Sequence, residues 1–214
     1  MSGATSRERL AAAGLYAITP DLPPDQVERL VEGWLRGGAD VVQLRHKSLR
    51  RGRLLELARR LARRCQDAGV PLIVNDHLDI ALLSGADGVH LGPEDLSTAA
   101  ARRLAGPTLL IGASASTPAA GRAAEAAGAD YLGTGPAYPT PLKPEKEVIG
   151  PAGVAEVQAA VGLPVFAIGG IEPARVPELL AAGVSRICVI RALAGEDPEA
   201  AARAFKSALT SELS

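Results

Sequence analysis

The chain has 214 residues, 47% of them hydrophobic and 22% charged, with a formal net charge of −1 at pH 7. This length suits one sizeable core, and the near-neutral charge argues against a general nucleic-acid-binding or membrane-surface protein. Its N-terminus lacks the apolar core of a signal peptide, and no apolar run reaches membrane length. Because its two cysteines, Cys65 and Cys188, fall in a predicted helix and a predicted strand, we expect reduced packing residues in a cytoplasmic protein.

Short apolar runs alternate with amphipathic segments along the chain. The runs typical of buried strands are 14–19, 40–45, 71–75, 87–91, 108–114, 130–135, 164–170 and 185–190. Helical spacing follows each of them, over 24–38, 49–68, 78–86, 97–106, 117–129, 151–162, 172–184 and 197–209. Ser97 and Thr117 are predicted N-caps, with Pro118 at the first helical position.

Eight strand–helix units predict a parallel sheet with right-handed crossovers. An open, doubly wound sheet could also hold eight strands. Helix-ending Ala-Gly pairs lead directly into strands at even spacing in "AGVPLIV", "AGADYLG" and "AAGVSRICVI", and this favours a closed barrel. We therefore expect an α/β protein with a single (β/α)8 TIM barrel over residues 1–214, in which 1–13 form an N-terminal extension that is helical or flexible.

In such a barrel the active site lies at the carboxyl ends of the strands. Arg45 and Lys47 alternate at the end of the second strand, and Gln43 shares their parity one step deeper. Lys143 lies in the long loop after the sixth strand. Cations that converge on a barrel mouth indicate an anionic, phosphorylated ligand. The alternative is an ordinary solvated basic surface.

Two carboxylates, Asp76 and Asp95, follow the third and fourth strands and are expected to face one pocket. Beside several cations they predict a magnesium–diphosphate site, because Mg²⁺ binds through one or two carboxylates together with substrate phosphates. The alternative is that each aspartate caps the helix that follows it.

A second anion site is predicted at Gly169-Gly170 and the segment 191–194, because barrels bind phosphate monoesters with the loops after the seventh and eighth strands. The alternative is a tight turn. The spacing of His46, His77 and His90 does not indicate zinc. His46 is expected to point away from the cations beside it, and His90 to be a core or supporting group. Ser114 has no obvious His–Asp partner, which argues against a nucleophilic triad.

Several motifs together resemble the thiamine phosphate synthase family, over about residues 15–193: "VVQLRHK", "IVNDHLDIALLSGADGVHLGPEDL", "IGASAST", "ADYLGTGPAYPTPLK" and "VFAIGGI". The resemblance implies a TIM-barrel transferase that joins 4-amino-5-hydroxymethyl-2-methylpyrimidine diphosphate to 4-methyl-5-(2-phosphoethyl)thiazole and releases diphosphate. It also implies a Mg²⁺ cofactor, a dissociative mechanism and a homodimer.

The resemblance carries over to individual residues. The diphosphate would be held by Arg45, Lys47, Asn75 and Lys143. The metal ligands would be Asp76 and Asp95, and the pyrimidine contacts Gln43 and Ser114. The residues near the thiazole phosphate would be Thr140, Gly170, Ile190 and Arg191. The expected catalytic residues are Arg45, Lys47, Lys143 and Ser114.

The chain departs from the family's pattern in four places. His46 and Pro93 stand where the family usually has Glu and Gln, and Leu142 and Arg191 where hydroxyl residues are common. The resemblance implies that Leu142 and Arg191 lie on the thiazole-phosphate side.

Two other functions remain open. A thiazole tautomerase shares the barrel, but tends to lack the diphosphate and metal set and to carry a histidine where this chain has Gly135-Pro136. A non-catalytic, phosphate-binding barrel is the third possibility, against which Asp76, Asp95 and Lys143 argue.

Overall fold

The computed structural model of the chain describes residues 4–141, 144–145 and 147–210. Its strands are β1 (Leu15–Ile18), β2 (Val41–Leu44), β3 (Leu72–Asn75), β4 (Gly88–Leu91), β5 (Leu110–Ser114), β6 (Tyr131–Thr134), β7 (Val165–Ile168) and β8 (Ile187–Val189). Each strand is parallel to the next one along the chain, and β1 also pairs with β8, so the sheet closes into a barrel. The prediction of a (β/α)8 TIM barrel is confirmed, and the open sheet is excluded.

A helix follows each strand, as predicted, and one more helix, α1 (Ser6–Ala12), precedes β1. The helices that follow the strands are α2 (Pro24–Arg36), α3 (Arg51–Ala68), α4 (Leu78–Ser84), α5 (Thr98–Ala105), α6 (Pro118–Ala126), α7 (Gly150–Ala159), α8 (Val176–Ala181) and α9 (Pro198–Thr210). Short 3₁₀ turns cover Pro173–Arg175 and Arg191–Leu193. Both predicted N-caps are confirmed, because Ser97 and Thr117 accept hydrogen bonds from the backbone of Ala100 and Ala120. Within the described ranges, no helix is both long enough and apolar enough to cross a membrane.

Some elements are shorter than predicted, and the backbone explains why. Strand β7 ends at Ile168 because Gly169 and Gly170 turn the chain with φ values of +101° and +62°. Strand β8 ends at Val189, since the chain turns at Ile190 into the 3₁₀ turn that follows. The predicted helix over 172–184 divides into the turn Pro173–Arg175 and α8.

The alternation along each strand builds two cores. Inward-facing side chains fill the barrel, among them Val41, Ile73, Leu110 and Cys188. Outward-facing side chains pack against the helices, where Trp34 is fully buried and its indole N–H donates to the backbone oxygen of Leu193 at 2.7 Å. The barrel interior and the helical layer are thus separate hydrophobic cores.

Helix α1 closes the N-terminal end of the barrel. A reciprocal capping box between Thr5 and Glu8 begins the helix. Leu10, only 1% exposed, packs into the barrel core from below. Ser6 and Arg7 bond Asp87 and Asp130, which lie just before β4 and β6. The segment that could have been helical or flexible therefore contains a helix that is part of the fold.

Candidate active site

A cavity of about 670 Å³ opens at the carboxyl ends of the strands. Its lining includes all the predicted site residues that the structure describes: Gln43, Arg45, Lys47, Asn75, Asp76, Asp95, Ser114, Thr140, Gly170, Ile190 and Arg191. Lys143 and Leu142 lie outside the described residues. The geometry thus brings the predicted set to one mouth, while the role of each residue stays a prediction.

A cluster of aromatic rings lies beneath this cavity, and Tyr16 is the member of the cluster that lines it. The rings of Tyr16, Tyr131 and Phe166 are fully buried, and their centroids lie 5.4 to 5.9 Å apart in tilted and edge-to-face arrangements. Sequence reasoning missed these residues. Their signal was available, because each is an aromatic residue within a short strand of a chain with only 3% aromatic residues.

A chain of hydrogen bonds crosses this cluster. Gln43 donates from Nε2 to the Tyr16 hydroxyl at 2.8 Å, and the Tyr16 and Tyr131 hydroxyls lie 2.8 Å apart. His90 continues the chain, with Nδ1 3.2 Å from the Tyr131 hydroxyl and Nε2 3.1 Å from Ser114 Oγ. The chain therefore links Gln43 to Ser114, the two predicted pyrimidine contacts.

The two tyrosines in this chain of hydrogen bonds, Tyr16 and Tyr131, stay neutral. Burial raises the pKa of Tyr16 and of Tyr131 above the ordinary tyrosine value. Each hydroxyl therefore keeps its proton and acts as both donor and acceptor. The arrangement fixes the orientation of Gln43 without placing a charge beneath the cavity.

The structure adds one partner for Ser114, because His90 Nε2 lies 3.1 Å from its hydroxyl oxygen. The sequence could not show this pair, which depends on the register of β4 against β5. His90 supports this serine, as its predicted supporting role requires. A nucleophilic triad still does not follow, since the other ring nitrogen faces the neutral Tyr131 hydroxyl rather than a carboxylate.

Asp76 and Asp95 meet at the mouth, where each carboxyl group influences the pKa of the other. Asp76 also accepts a 2.5 Å bond from Lys47 Nζ, and Asp95 accepts a 2.8 Å bond from the backbone N–H of Gly92. Neither carboxylate caps a helix: Ser97 caps α5, and α4 begins without a side-chain cap. The capping alternative is therefore wrong.

The two carboxyl groups titrate differently. Burial raises the pKa of Asp76, but Lys47 and the neighbouring Asp95 outweigh it, so the net pKa lies below the ordinary value. Burial also raises the pKa of Asp95; the Gly92 N–H opposes this, but the neighbouring Asp76 carboxylate adds to it, and the net pKa lies above the ordinary value. The two acids therefore lose their protons in separate steps, Asp76 first, as expected of paired carboxylates.

This pair fits a hard divalent cation, for which the two carboxylates would supply oxygen ligands. Among the described residues, no group of three or more His, Cys, Asp or Glu side chains could hold a metal ion. A metal bound here would thus complete its coordination with water and ligand oxygens.

The cations at the mouth differ in exposure. The Arg45 side chain is half-buried and lies 3.6 Å from Asp21, whereas Lys47 is exposed. His46 points away from both, as predicted: its Nε2 lies 2.9 Å from the backbone oxygen of Leu22, and it does not line the cavity. Asp21, which sequence reasoning missed, accepts a hydrogen bond from the backbone N–H of Lys47 and so positions the segment that carries Arg45 and Lys47.

The opposite side of the mouth holds the predicted monophosphate site. A Cβ on Gly169 would lie 2.6 Å from Pro136 Cβ, and one on Gly170 would lie 2.5 Å from the Pro139 oxygen. Only glycine fits this turn. Arg191 lines the cavity beside it, and its guanidinium forms no hydrogen bond or ion pair with any residue that the structure describes.

Comparisons with known proteins agree with this site. The thiamine monophosphate synthase family model matches residues 15–193. A thiamine-phosphate synthase of Shouchella clausii is 42% identical over 201 residues, which cover 91% of this chain and 95% of that protein. A thiamine biosynthesis bifunctional protein of Symbiobacterium thermophilum is 49% identical over 200 residues, covering 92% of this chain; the chain spans only 40% of that protein's length.

A solved structure shares the whole fold. Thiamine phosphate pyrophosphorylase from Pyrococcus furiosus superposes with a TM-score of 0.86 at 33% identity, over 96% of this chain and 99% of that one. Sequence motifs, barrel closure and relatives that match nearly end to end agree. The chain belongs to the thiamine monophosphate synthase family.

Proposed function

We propose that this chain is a thiamine-phosphate synthase, which joins the pyrimidine diphosphate to the thiazole phosphate and releases diphosphate. The observation that carries the proposal is the single cavity at the barrel mouth. A carboxylate pair and two cations lie on one side of it and a glycine turn and Arg191 on the other, and Tyr16 also lines it. Two phosphorylated substrates require two such anion sites facing one reaction centre.

The pyrimidine would bind deepest, above the aromatic cluster. Tyr16, which lines the cavity, offers a flat heterocycle an aromatic contact. Gln43 and Ser114 offer an amide and a hydroxyl, which can pair with ring nitrogens and the exocyclic amino group. Because both are already held by the Tyr16–Tyr131–His90 chain, little ordering is left for the substrate to impose.

The diphosphate would lie above the pyrimidine, against Arg45, Lys47 and Asn75. Asp76 and Asp95 would hold Mg²⁺, which when bound supplies charge neutralisation to the leaving diphosphate. Lys47 would then exchange its bond to Asp76 for one to a phosphate oxygen. Lys143 is proposed for the same group from its sequence motif.

These residues support a dissociative reaction. The bond between the pyrimidine methylene carbon and the diphosphate oxygen breaks, and the electron pair leaves with diphosphate. The thiazole nitrogen then donates its lone pair to the carbon and forms the new C–N bond. Arg45 and Lys47 stabilise charge that develops on the leaving group. The reaction needs no enzymatic nucleophile, which agrees with a Ser114 that lacks a triad.

The thiazole phosphate would bind at the glycine turn. Gly170, Thr140, Ile190 and Arg191 line this side of the cavity. The Arg191 guanidinium, unpaired among the described residues, could bond a phosphate without first breaking an ion pair. This side chain would replace the hydroxyl contact that is common in the family.

We further propose a cytoplasmic homodimer. Cys65 and Cys188 are buried and unpaired, which supports a reducing compartment. The family resemblance supports the dimer, and light scattering coupled to size-exclusion chromatography tests it.

The decisive experiment incubates the protein with both substrates and Mg²⁺ and measures thiamine phosphate and released diphosphate. Omission of either substrate serves as the control, and both products are expected only in the complete mixture. Isomerisation of the thiazole phosphate without coupling would favour a tautomerase. Titration with diphosphate, with and without Mg²⁺, gives an independent result: metal-dependent binding supports the synthase, and its absence contradicts it.

A further inference from the structure

Tyr138, in the loop after β6, is held by Arg175 and Glu178, which follow β7. These two residues form what we call the clamp. Its ring is 9% exposed and lies 4.5 Å from the Arg175 guanidinium carbon, in cation–π geometry. Its hydroxyl donates to Glu178 Oε2 at 2.9 Å, and burial, followed by this bond, raises the pKa of Tyr138 to about 12. Tyr138 is therefore a neutral donor throughout the physiological range.

The same arginine also reaches the glycine turn. Arg175 Nη1 donates to the backbone oxygen of Gly170 at 2.9 Å. One residue earlier, the oxygen of Gly169 accepts from the N–H of Tyr138 at 3.0 Å. The turn is thus bonded on one side to Tyr138 itself and to the guanidinium that covers the Tyr138 ring.

These bonds determine where the opposite sides of the two peptide groups point. In a trans peptide the C=O and the following N–H point in opposite directions. With the oxygens of Gly169 and Gly170 bonded to Tyr138 and Arg175, the N–H groups of Gly170 and Ile171 point away from that clamp. Both residues line the cavity, and neither N–H donates to any residue in the described part of the chain. Two backbone donors are thereby left for a ligand.

We infer that Arg175 is a positioning residue for the acceptor substrate: through Tyr138 and the Gly170 oxygen, it holds the N–H groups of Gly170 and Ile171 toward the phosphate of the bound thiazole. The inference rests on the proposed function for the identity of that phosphate. Arg175 acts through the turn, so its loss changes binding of the acceptor and leaves the pyrimidine diphosphate side unchanged.

The test compares Arg175→Ala and Arg175→Lys with a matched control. Arg186→Ala removes an arginine whose Nη2 donates to the backbone oxygen of Ala11 at 2.9 Å, near the closed end of the barrel. For Arg175→Ala we expect the KM for the thiazole phosphate to rise about tenfold, the size of one lost charge-assisted hydrogen bond. The kcat and the KM for the pyrimidine diphosphate should change less than about twofold.

Arg175→Lys should recover part of this affinity, because an ammonium group keeps a cation and a donor near the turn. Arg186→Ala should leave both KM values unchanged. Equal rises in both KM values for Arg175→Ala, or no rise in either, would overturn the inference. If Arg175→Ala does not fold, as judged by circular dichroism, Arg175→Lys and Tyr138→Phe carry the same comparison with smaller expected rises.

Calorimetric titration with the thiazole phosphate separates this inference from the proposed function. Wild-type protein that binds it but makes no thiamine phosphate would contradict the synthase proposal alone, and the Kd of the Arg175 variants would still test the clamp. Wild-type protein that binds neither the thiazole phosphate nor inorganic phosphate would also overturn the inference that Arg175 positions a phosphate site.

Discussion

Asp76 and Asp95, at the tips of neighbouring strands β3 and β4, lie close enough that each carboxyl group shifts the pKa of the other, lowering that of Asp76 and raising that of Asp95. As the pH falls, Asp95 is therefore the first of the two to take up a proton. The backbone supports the arrangement: Asp76 has a φ of +63° and is the only non-glycine residue in the described ranges with positive φ. Its N–H donates to the His90 oxygen at 2.8 Å, which fixes this unusual conformation against β4.

The first prediction concerns this pair as a metal site. Asp76→Asn and Asp95→Asn should retain the fold and sharply lower activity, because an amide does not supply the carboxylate charge that Mg²⁺ prefers. Initial rates over a magnesium titration, together with circular dichroism, measure the effect. Asp79→Asn is the matched control, since Asp79 is exposed and neither it nor its ion-pair partner Arg51 lines the cavity. Full activity of the double variant at limiting Mg²⁺ would contradict the prediction that Asp76 and Asp95 bind the metal.

The second prediction is the pH dependence of magnesium binding. Burial and the neighbouring carboxylate raise the pKa of Asp95, so below that pKa a proton occupies the pair. Deprotonation frees both carboxylates; the apparent affinity for Mg²⁺ should therefore rise as pH increases through the raised pKa. Titrations of Mg²⁺ at a series of pH values measure this rise. A variant with Asp95→Asn should show a flatter profile, and an unchanged slope would contradict the raised pKa of Asp95.

The third prediction concerns Lys143, which the motif places with the diphosphate. Lys143→Ala should weaken diphosphate binding more than thiazole-phosphate binding. The lost charge-assisted hydrogen bond is worth roughly 1.5–3 kcal/mol, or about tenfold to a hundredfold in Kd. Competition by each ligand measures the two losses separately. Equal losses would show that this residue serves both ligands through a general effect of its loop.

The fourth prediction concerns Arg191. Alternation along β8 puts Ile187 and Val189 against the helices and Cys188 inside the barrel. Arg191 shares the outward parity but follows the strand, in the 3₁₀ turn that lines the cavity. Arg191→Ala should raise the KM for the thiazole phosphate about tenfold, and Arg191→Ser should restore part of the affinity. An unchanged KM would show that only the backbone binds there.

The fifth prediction concerns stability. Leu10→Ala should lower the free energy of unfolding by about 2–5 kcal/mol, because it opens a hole between α1 and the barrel core. Chemical denaturation measures the loss. Leu104→Ala, at a side chain that is 68% exposed on α5, should change stability by less than about 0.5 kcal/mol. Equal effects of the two substitutions would mean that α1 does not contribute to the core.

Much of the barrel could be predicted because its signals are local. Apolar runs, Ala-Gly helix ends and N-caps such as Ser97 and Thr117 each report on their own element, and each held in the structure. Because parallel strands bring their carboxyl ends together, the gathering of Asp76 and Asp95 at one mouth followed from the strand order alone.

The features that could not be predicted depend on relationships between distant elements. The contact of His90 with Ser114 requires the register of β4 against β5, in which His90 pairs with Gly112. Gly112 leaves room there: a Cβ on it would lie 2.1 Å from the Tyr131 ring. The reach of Arg175 to Gly170 depends on the 3₁₀ turn that interrupts a helix predicted as continuous.

Helix α1, which closes the N-terminal end of the barrel, limits how substrates enter and products leave the cavity. Leu10 and the buried rings of Tyr16 and Phe166 block the N-terminal end of the barrel. Substrates and products would therefore enter and leave through the same cavity opening, at the carboxyl ends of the strands. Under the proposed reaction, we therefore expect the pyrimidine diphosphate, which lies deepest, to bind before the thiazole phosphate. The fold thus favours ordered substrate binding, with the order set by the depth of each site in the cavity.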